Sequence, residues 1–202
     1  MSLPINNLKS SAAMFRFVMA VALGLGLDLW TKHLAFEKLA QGSPHQIEEW
    51  QTGRKRWVVD CREDLLASHG YVVVPGFLNF NVTVNEGAVF GLGQGRRWVF
   101  VAISIAAILF LGYLFLTSGR QWFPQIIFGL LLAGVLGNMY DRIELGYVRD
   151  MIYALPRWGV FPYIFNVADS LLCVGVGLIF IYSLFRPRHA HTSQDAPPAS
   201  AV

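Results

Sequence analysis

Four long apolar stretches separated by polar ones organise the chain. Residues 98–116 run nineteen positions without a charge. As a helix at 1.5 Å per residue they cover roughly 28 Å, enough for the hydrocarbon core of a bilayer. Residues 12–35, 122–140 and 164–185 predict three further spans of similar reach. Pro124 falls in the first turn of the third, where a missing N–H is tolerated. Lys9 and Arg16 ahead of the first run resemble the charged start of a signal peptide. The run continues past Asp28 without a small-x-small cleavage site, so an uncleaved first helix is expected. Trp30, Trp98, Trp122 and Trp158 fall near span ends, as interfacial anchors do. Between the first two spans, residues 36–76 are polar and of mixed charge and read as a solvated insertion. Residues 71–93 alternate over 78–84, are rich in β-branched side chains and are punctuated by Gly and Pro, which predicts two short strands. Asn85 and Gly87 stand where that pattern breaks, as a turn requires. Residues 189–202 are poor in apolar groups and are expected to be a disordered tail.

Composition turns these spans into a class. Of 202 residues, 54% are hydrophobic and 14% charged, with a mean hydropathy of +0.46, more apolar than a soluble domain of this size. An integral membrane protein with one domain is expected. A net charge of +3 without a basic helix gives no reason to expect nucleic acid. Cys61 lies in a polar loop and Cys173 in mid-span, so no disulfide between them is expected. Cys173 reads as a small core hydrophobe. No H-E-x-x-H or paired Cys/His spacing occurs, and neither a metal nor another cofactor is expected.

The candidate chemistry lies in the stretch 137–169, which holds Asn138, Asp141, Arg142, Asp150, Asn166 and Asp169 between two spans. Polar and ionisable groups at the edge of hydrocarbon are costly and by default suggest function, although any one of them could merely cap or anchor a helix. Connectivity brings more of them together. Four consecutive spans alternate in direction, so Asp28 and Lys32 near the end of the first share a membrane face with Asn85 and with the 137–169 cluster. Asp28 with Lys32, Asn138 with Asp141 and Arg142, and Asn166 with Asp169 are each spaced to share one helix face. Arg142 is expected to pair with a carboxylate and orient the Asp150 loop. Lys9, Arg16, Arg120, Arg186 and Arg188 lie on the opposite face, which suggests cytoplasmic termini. The raw Lys/Arg tally favours the other orientation, mostly because of the long first connection, where the positive-inside rule has little force.

Asp150, in a connection, and Asp169, at a helix start, can approach each other. Two carboxylates close together in a low-dielectric pocket cannot both ionise. One can then activate water while the other donates a proton. No Ser/His pairing in the cluster supports a serine mechanism. A small proton-coupled transporter or channel is the alternative, but a relay needs ionisable groups through the membrane depth, and the spans are nearly pure hydrocarbon there. A non-catalytic assembly or chaperone protein would not need both aspartates.

With these residues in view the chain resembles the bacterial lipoprotein signal peptidases (signal peptidase II), an aspartyl protease family. The matching stretches are DLWTK at 28–32, NEGAVFG at 85–91, GNMYDRIELGYVRDMI at 137–152 and FNVADS at 165–170. The resemblance implies an all-α membrane protein of four transmembrane helices with a small extracytoplasmic β-cradle at about 71–93. Residues 1–188 would form the single peptidase domain. It implies catalysis by Asp150 and Asp169, supported by Asp28, Lys32, Asn85, Gly87, Asn138, Asp141, Arg142 and Asn166. The substrates implied are prolipoproteins bearing a diacylglyceryl-cysteine, cut just before that cysteine. The expected setting is the bacterial inner membrane, with membrane lipids as partners, the site toward the extracytoplasmic side, and a monomer as the working unit. Leu29, Gly91 and Met151 depart from the family's usual Gln, Ser and Phe and remove no group the chemistry needs. The connection between Lys32 and Asn85 is longer than in typical members. Its polar residues 40–70 are expected to be dispensable for the chemistry.

Overall fold

The computed structural model describes residues 10–49, 53–63, 70–87, 93–118, 121–158 and 163–185. The expected tail at 189–202 and the cations at Lys9, Arg120, Arg186 and Arg188 lie outside them. Four helices are long and apolar enough to cross a membrane: α1 (Ser11–Leu39), α2 (Arg97–Thr117), α3 (Trp122–Glu144) and α4 (Val167–Phe185). The Ser10 hydroxyl accepts the Ala13 N–H and starts α1. Gly146, at φ +90°, ends α3 in a left-handed conformation that glycine adopts at little cost. The helices outrun the predicted spans by up to four residues, because amphipathic ends such as Phe36–Leu39 continue the hydrogen-bonding of the apolar segment.

Helix α3 is the hub and the most buried of the four; α1, α2 and α4 all pack on it. At the end away from the polar cluster, Leu111, Phe115, Ile127, Phe128 and Leu131 form the apolar core. The Phe17 and Phe115 rings stack there at 4.1 Å. Arg16 reaches into this end and donates from Nε and Nη2 to the buried Gln125 Oε1 at 3.0 and 2.8 Å, tying α1 to α3. Small residues let the helices approach closely, as in other membrane bundles. A Cβ on Gly134 would sit 2.6 Å from the Ala168 carbonyl oxygen and 2.8 Å from Leu172 Cγ. Gly134→Ala is therefore expected to push α4 off α3 and cost about 1–3 kcal/mol. Thermal unfolding in detergent checks this, and an unchanged midpoint would show that the helices separate freely.

The all-α expectation gives way to a mixed fold. Strands β1 (His45–Glu48) and β2 (Lys55–Val58) form a hairpin inside the polar insertion. Strands β3 (Tyr71–Val74), β4 (Leu78–Asn85), β5 (Val148–Ala154) and β6 (Ile164–Phe165) form an antiparallel sheet in that order. The β3 and β4 strands match the sequence pattern. Residues 148–154, read as a connection, are instead a central strand, paired with β4 so that Thr83 faces Asp150 and Asn85 faces Val148. Residues 164–165, read as the start of the fourth span, pair with Ile152 and Tyr153 before the helix begins. The partner of 148–154 lies more than sixty residues earlier, and a two-residue strand such as 164–165 is too short to show a period, so local pattern reveals neither.

Candidate active site

The sheet and the helix ends meet around one asparagine. Asn166 is the N-cap of α4: its Oδ1 accepts the Asp169 N–H at 2.9 Å, and Asp169 Oδ2 accepts the Asn166 N–H at 3.3 Å. This reciprocal capping satisfies two N–H groups that a helix start leaves open. The Asn166 side-chain amide also donates to Asp150 Oδ1 at 2.6 Å and to Asn138 Oδ1 at 3.1 Å. One fully buried side chain thus holds both aspartates. Asn138 donates to Asp169 Oδ1 at 2.8 Å, and Asn85 donates to Asp150 Oδ2 at 3.3 Å.

Behind this layer lies a second one of charges. Lys32 Nζ is fully buried and meets Asp28 Oδ2 at 2.7 Å, Asn138 Oδ1 at 3.0 Å and Asp141 Oδ2 at 3.4 Å. Three acceptors match the three protons of an ammonium. Asp28 Oδ1 accepts the Ala168 N–H at 2.8 Å and so caps α4 from α1. Asp141 also accepts from Arg149, at 2.8 Å from Nη2 and 3.0 Å from the backbone N–H. Lys32 and Arg149 balance Asp28 and Asp141, which is the condition for burying such groups.

The structure brings all ten expected residues to one end of the bundle, with one partnership corrected. Among the described residues Arg142 is ion-paired to no carboxylate. Its Nη2 donates to the Gly87 carbonyl at 2.8 Å, its Nη1 to the Asn138 carbonyl at 3.3 Å, and the guanidinium lies over the Phe100 ring. Arg149 takes the carboxylate of Asp141 instead, because β5 delivers it there. The sequence reading missed Arg149; its position directly before Asp150 was the available signal. Gly87, in turn, donates its N–H to Asn85 Oδ1 at 3.0 Å.

Asp150 and Asp169 open onto a cavity of about 890 Å³ between α2, α3 and α4. Its wall is apolar, with Phe100, Ile103, Ala107, Val135, Leu172 and Val174, and its polar groups gather at the sheet end. That combination is the usual form of a ligand site. Cys173, expected in the core, lies exposed on this wall one turn from Asp169. On β5, Val148, Asp150 and Ala154 line the cavity. Burial pushes the Asp150 carboxyl up to about 8, and the nearby Asp169 charge adds to the shift.

A family model described as signal peptidase (SPase) II matches residues 20–185. A lipoprotein signal peptidase of Desulfitobacterium hafniense (strain DSM 10664 / DCB-2) is 34% identical over 146 residues, covering 69% of this chain and 94% of that protein. One from Enterococcus faecalis (strain ATCC 700802 / V583) is 31% identical over 176 residues, covering 86% and 91%. Among solved structures, a bacterial membrane enzyme determined by the in meso method at 2.3 Å superposes with a TM-score of 0.65. It is 29% identical, and the match covers 83% of this chain and 87% of that one.

Proposed function

The chain belongs to the signal peptidase II family, and on that premise we propose that Asp150 and Asp169 are the dyad that cleaves the substrate's peptide bond. The protein is a multi-pass membrane protease of the aspartic type that removes signal peptides from prolipoproteins. The observation that carries the dyad is Asn166, whose side-chain amide donates to the Asp150 carboxylate and whose backbone N–H donates to the Asp169 carboxylate at the polar end of an apolar cavity.

The roles follow from environment. Asp150 is buried and holds its proton at neutral pH, so it is the general acid. Asp169, half-buried at the start of α4, is the general base that takes a proton from water. The water attacks the scissile carbonyl carbon while Asp150 supplies the proton that its oxygen or the leaving amine requires. No side chain bonds to the substrate, so no acyl-enzyme forms. Asn138 and Asn166 keep the two carboxylates in register, and Arg142 fixes the Gly87 carbonyl beside Asn85. The apolar wall takes the acyl chains of a diacylglyceryl-cysteine, whose burial positions the bond just before that residue. All these groups come from one chain, and a monomer embedded in lipid suffices. Purified protein in bilayers is expected to cleave a diacylglyceryl-modified prolipoprotein and to leave the unmodified form intact. Equal cleavage of both would remove the lipid from the recognition.

We place the enzyme in the bacterial inner membrane, with the sheet and the dyad on the extracytoplasmic side. Lys9, Arg16, Arg120, Arg186 and Arg188 then lie on the cytoplasmic side, as the positive-inside rule favours for short loops. A cysteine introduced at Ser118 should react with membrane-impermeant reagent only after the cell is opened. Labelling from outside would invert the topology.

A further inference from the structure

The hairpin β1–β2 lies in the insertion expected to be dispensable, yet it reaches the edge of the active site. Its base is stitched to the end of α1: the Gln41 N–H donates to Asp60 at 2.8 Å, the Arg62 N–H donates to Leu39 at 3.0 Å, and Ala40 pairs with Cys61. From this root β2 carries Trp57 to the place where β4 and β5 end their pairing. The Trp57 backbone N–H donates to Glu86 Oε1, and its ring packs against Tyr147 with centroids 5.0 Å apart. Gly146 is close as well, since a Cβ there would lie 3.7 Å from Trp57 Nε1.

Those contacts bracket one rung of the sheet. Asn85 and Val148 are opposite each other in the β4–β5 register, Glu86 follows the first and Tyr147 precedes the second. Asn85 donates to Asp150, and Asp150 lies two residues beyond Val148. Strand ends fray unless something holds them, and here the last pair carries a ligand of the proposed acid. We infer that the β1–β2 hairpin is a positioning element of the active site, with Trp57 clamping Glu86 and Tyr147 so that Asn85 and Asp150 stay in register. The inference rests on the assignment of Asp150 to the dyad. Trp57 touches no reacting atom; it acts through the two segments it holds.

The test is steady-state cleavage of a diacylglyceryl-modified prolipoprotein by the full chain in lipid, with thermal unfolding of each variant alongside. Trp57→Ala should lower kcat about 10–100-fold, the scale of a small misplacement at a reacting centre, with KM within about 3-fold of wild type. Trp57→Phe keeps a ring on Tyr147 and should restore kcat to within about 3-fold. Tyr147→Ala should lower kcat similarly and cost little more in a Trp57→Ala background, since both break one contact. Glu86→Ala tests the other arm and leaves the Trp57 ring in place; Glu86→Gln keeps an acceptor and should retain more activity than Glu86→Ala. Wild-type kcat in both Trp57→Ala and Glu86→Ala overturns the clamp. So does a loss that is equal in Trp57→Ala and Trp57→Phe and tracks the unfolding midpoint. Asp150→Asn, measured in the same series, keeps the two readings apart. Its inactivity beside fully active Trp57→Ala and Glu86→Ala rejects the clamp alone, whereas its activity rejects the dyad itself.

Discussion

Asp150→Asn and Asp169→Asn should each lose turnover by a factor on the order of 10²–10⁴ in lipid, the contribution of a positioned acid or base. Substrate binding should persist, because an amide keeps the shape of the carboxyl but cannot pass the proton. Asn at 150 can still accept from Asn166 on its oxygen, while its NH₂ faces the Asn85 donor, so a modest loss of stability accompanies the loss of chemistry. In the unaltered enzyme turnover should decline as pH rises through about 8. The folded Asp150 carboxyl, raised by burial, is protonated below that pH and ionised above it. The full profile should be a bell whose two apparent values belong to the pair and to neither residue. Substantial turnover in either single variant, or a rate that keeps climbing well above pH 8, would sink the shared-proton mechanism.

Asp141→Asn is the variant with the largest expected effect on folding. Asp141 is wholly buried and accepts from Lys32 and from both the backbone and the guanidinium of Arg149. Neutralising it leaves the buried Lys32 with Asp28 as its one ion-pair partner among the described residues, and takes the carboxylate from the half-buried Arg149. Removing one member of such a network costs about 3–5 kcal/mol. Activity should fall with it, since Arg149 neighbours Asp150 on β5. Unfolding midpoint and cleavage rate, measured on the same preparation, decide the matter. A normal midpoint with no turnover would move Asp141 from scaffold to chemistry.

What could be read from the chain alone follows from how local each signal is. The spans announce themselves by length and hydropathy, and alternation of four spans gathers Asp28, Lys32, Asn138, Asp141, Asn166 and Asp169 without knowledge of any contact. Helical spacing gives the pairing of Asp28 with Lys32 and puts Asn166 and Asp169 on one face, while the cap they form at the start of α4 appears only in the structure. The strand that carries Asp150 is another matter. Its partner β4 lies more than sixty residues earlier, so 148–154 looked like a connection between helices. The same nonlocality hid Arg149, whose role depends on which face of β5 meets α3. It also misassigned Arg142, whose nearest acceptors are carbonyls that only folding brings within reach. Residues 40–70 looked dispensable because nothing in a polar, mixed-charge stretch reveals that one tryptophan in it will pack on Tyr147.

The cavity lies between α2 and α4, two helices that pack chiefly on α3, and its wall includes side chains as outward as Ile103 and Val174. A substrate tethered by acyl chains can therefore slide in sideways, tails first, without leaving the hydrocarbon. Encounter is then a two-dimensional search, and the quantity that saturates the enzyme is the mole fraction of prolipoprotein in the leaflet. Diluting the substrate with inert lipid at constant bulk concentration should slow cleavage, while diluting the whole suspension with buffer should not. A Michaelis constant expressed in moles per litre would describe the vesicle preparation more than the protein.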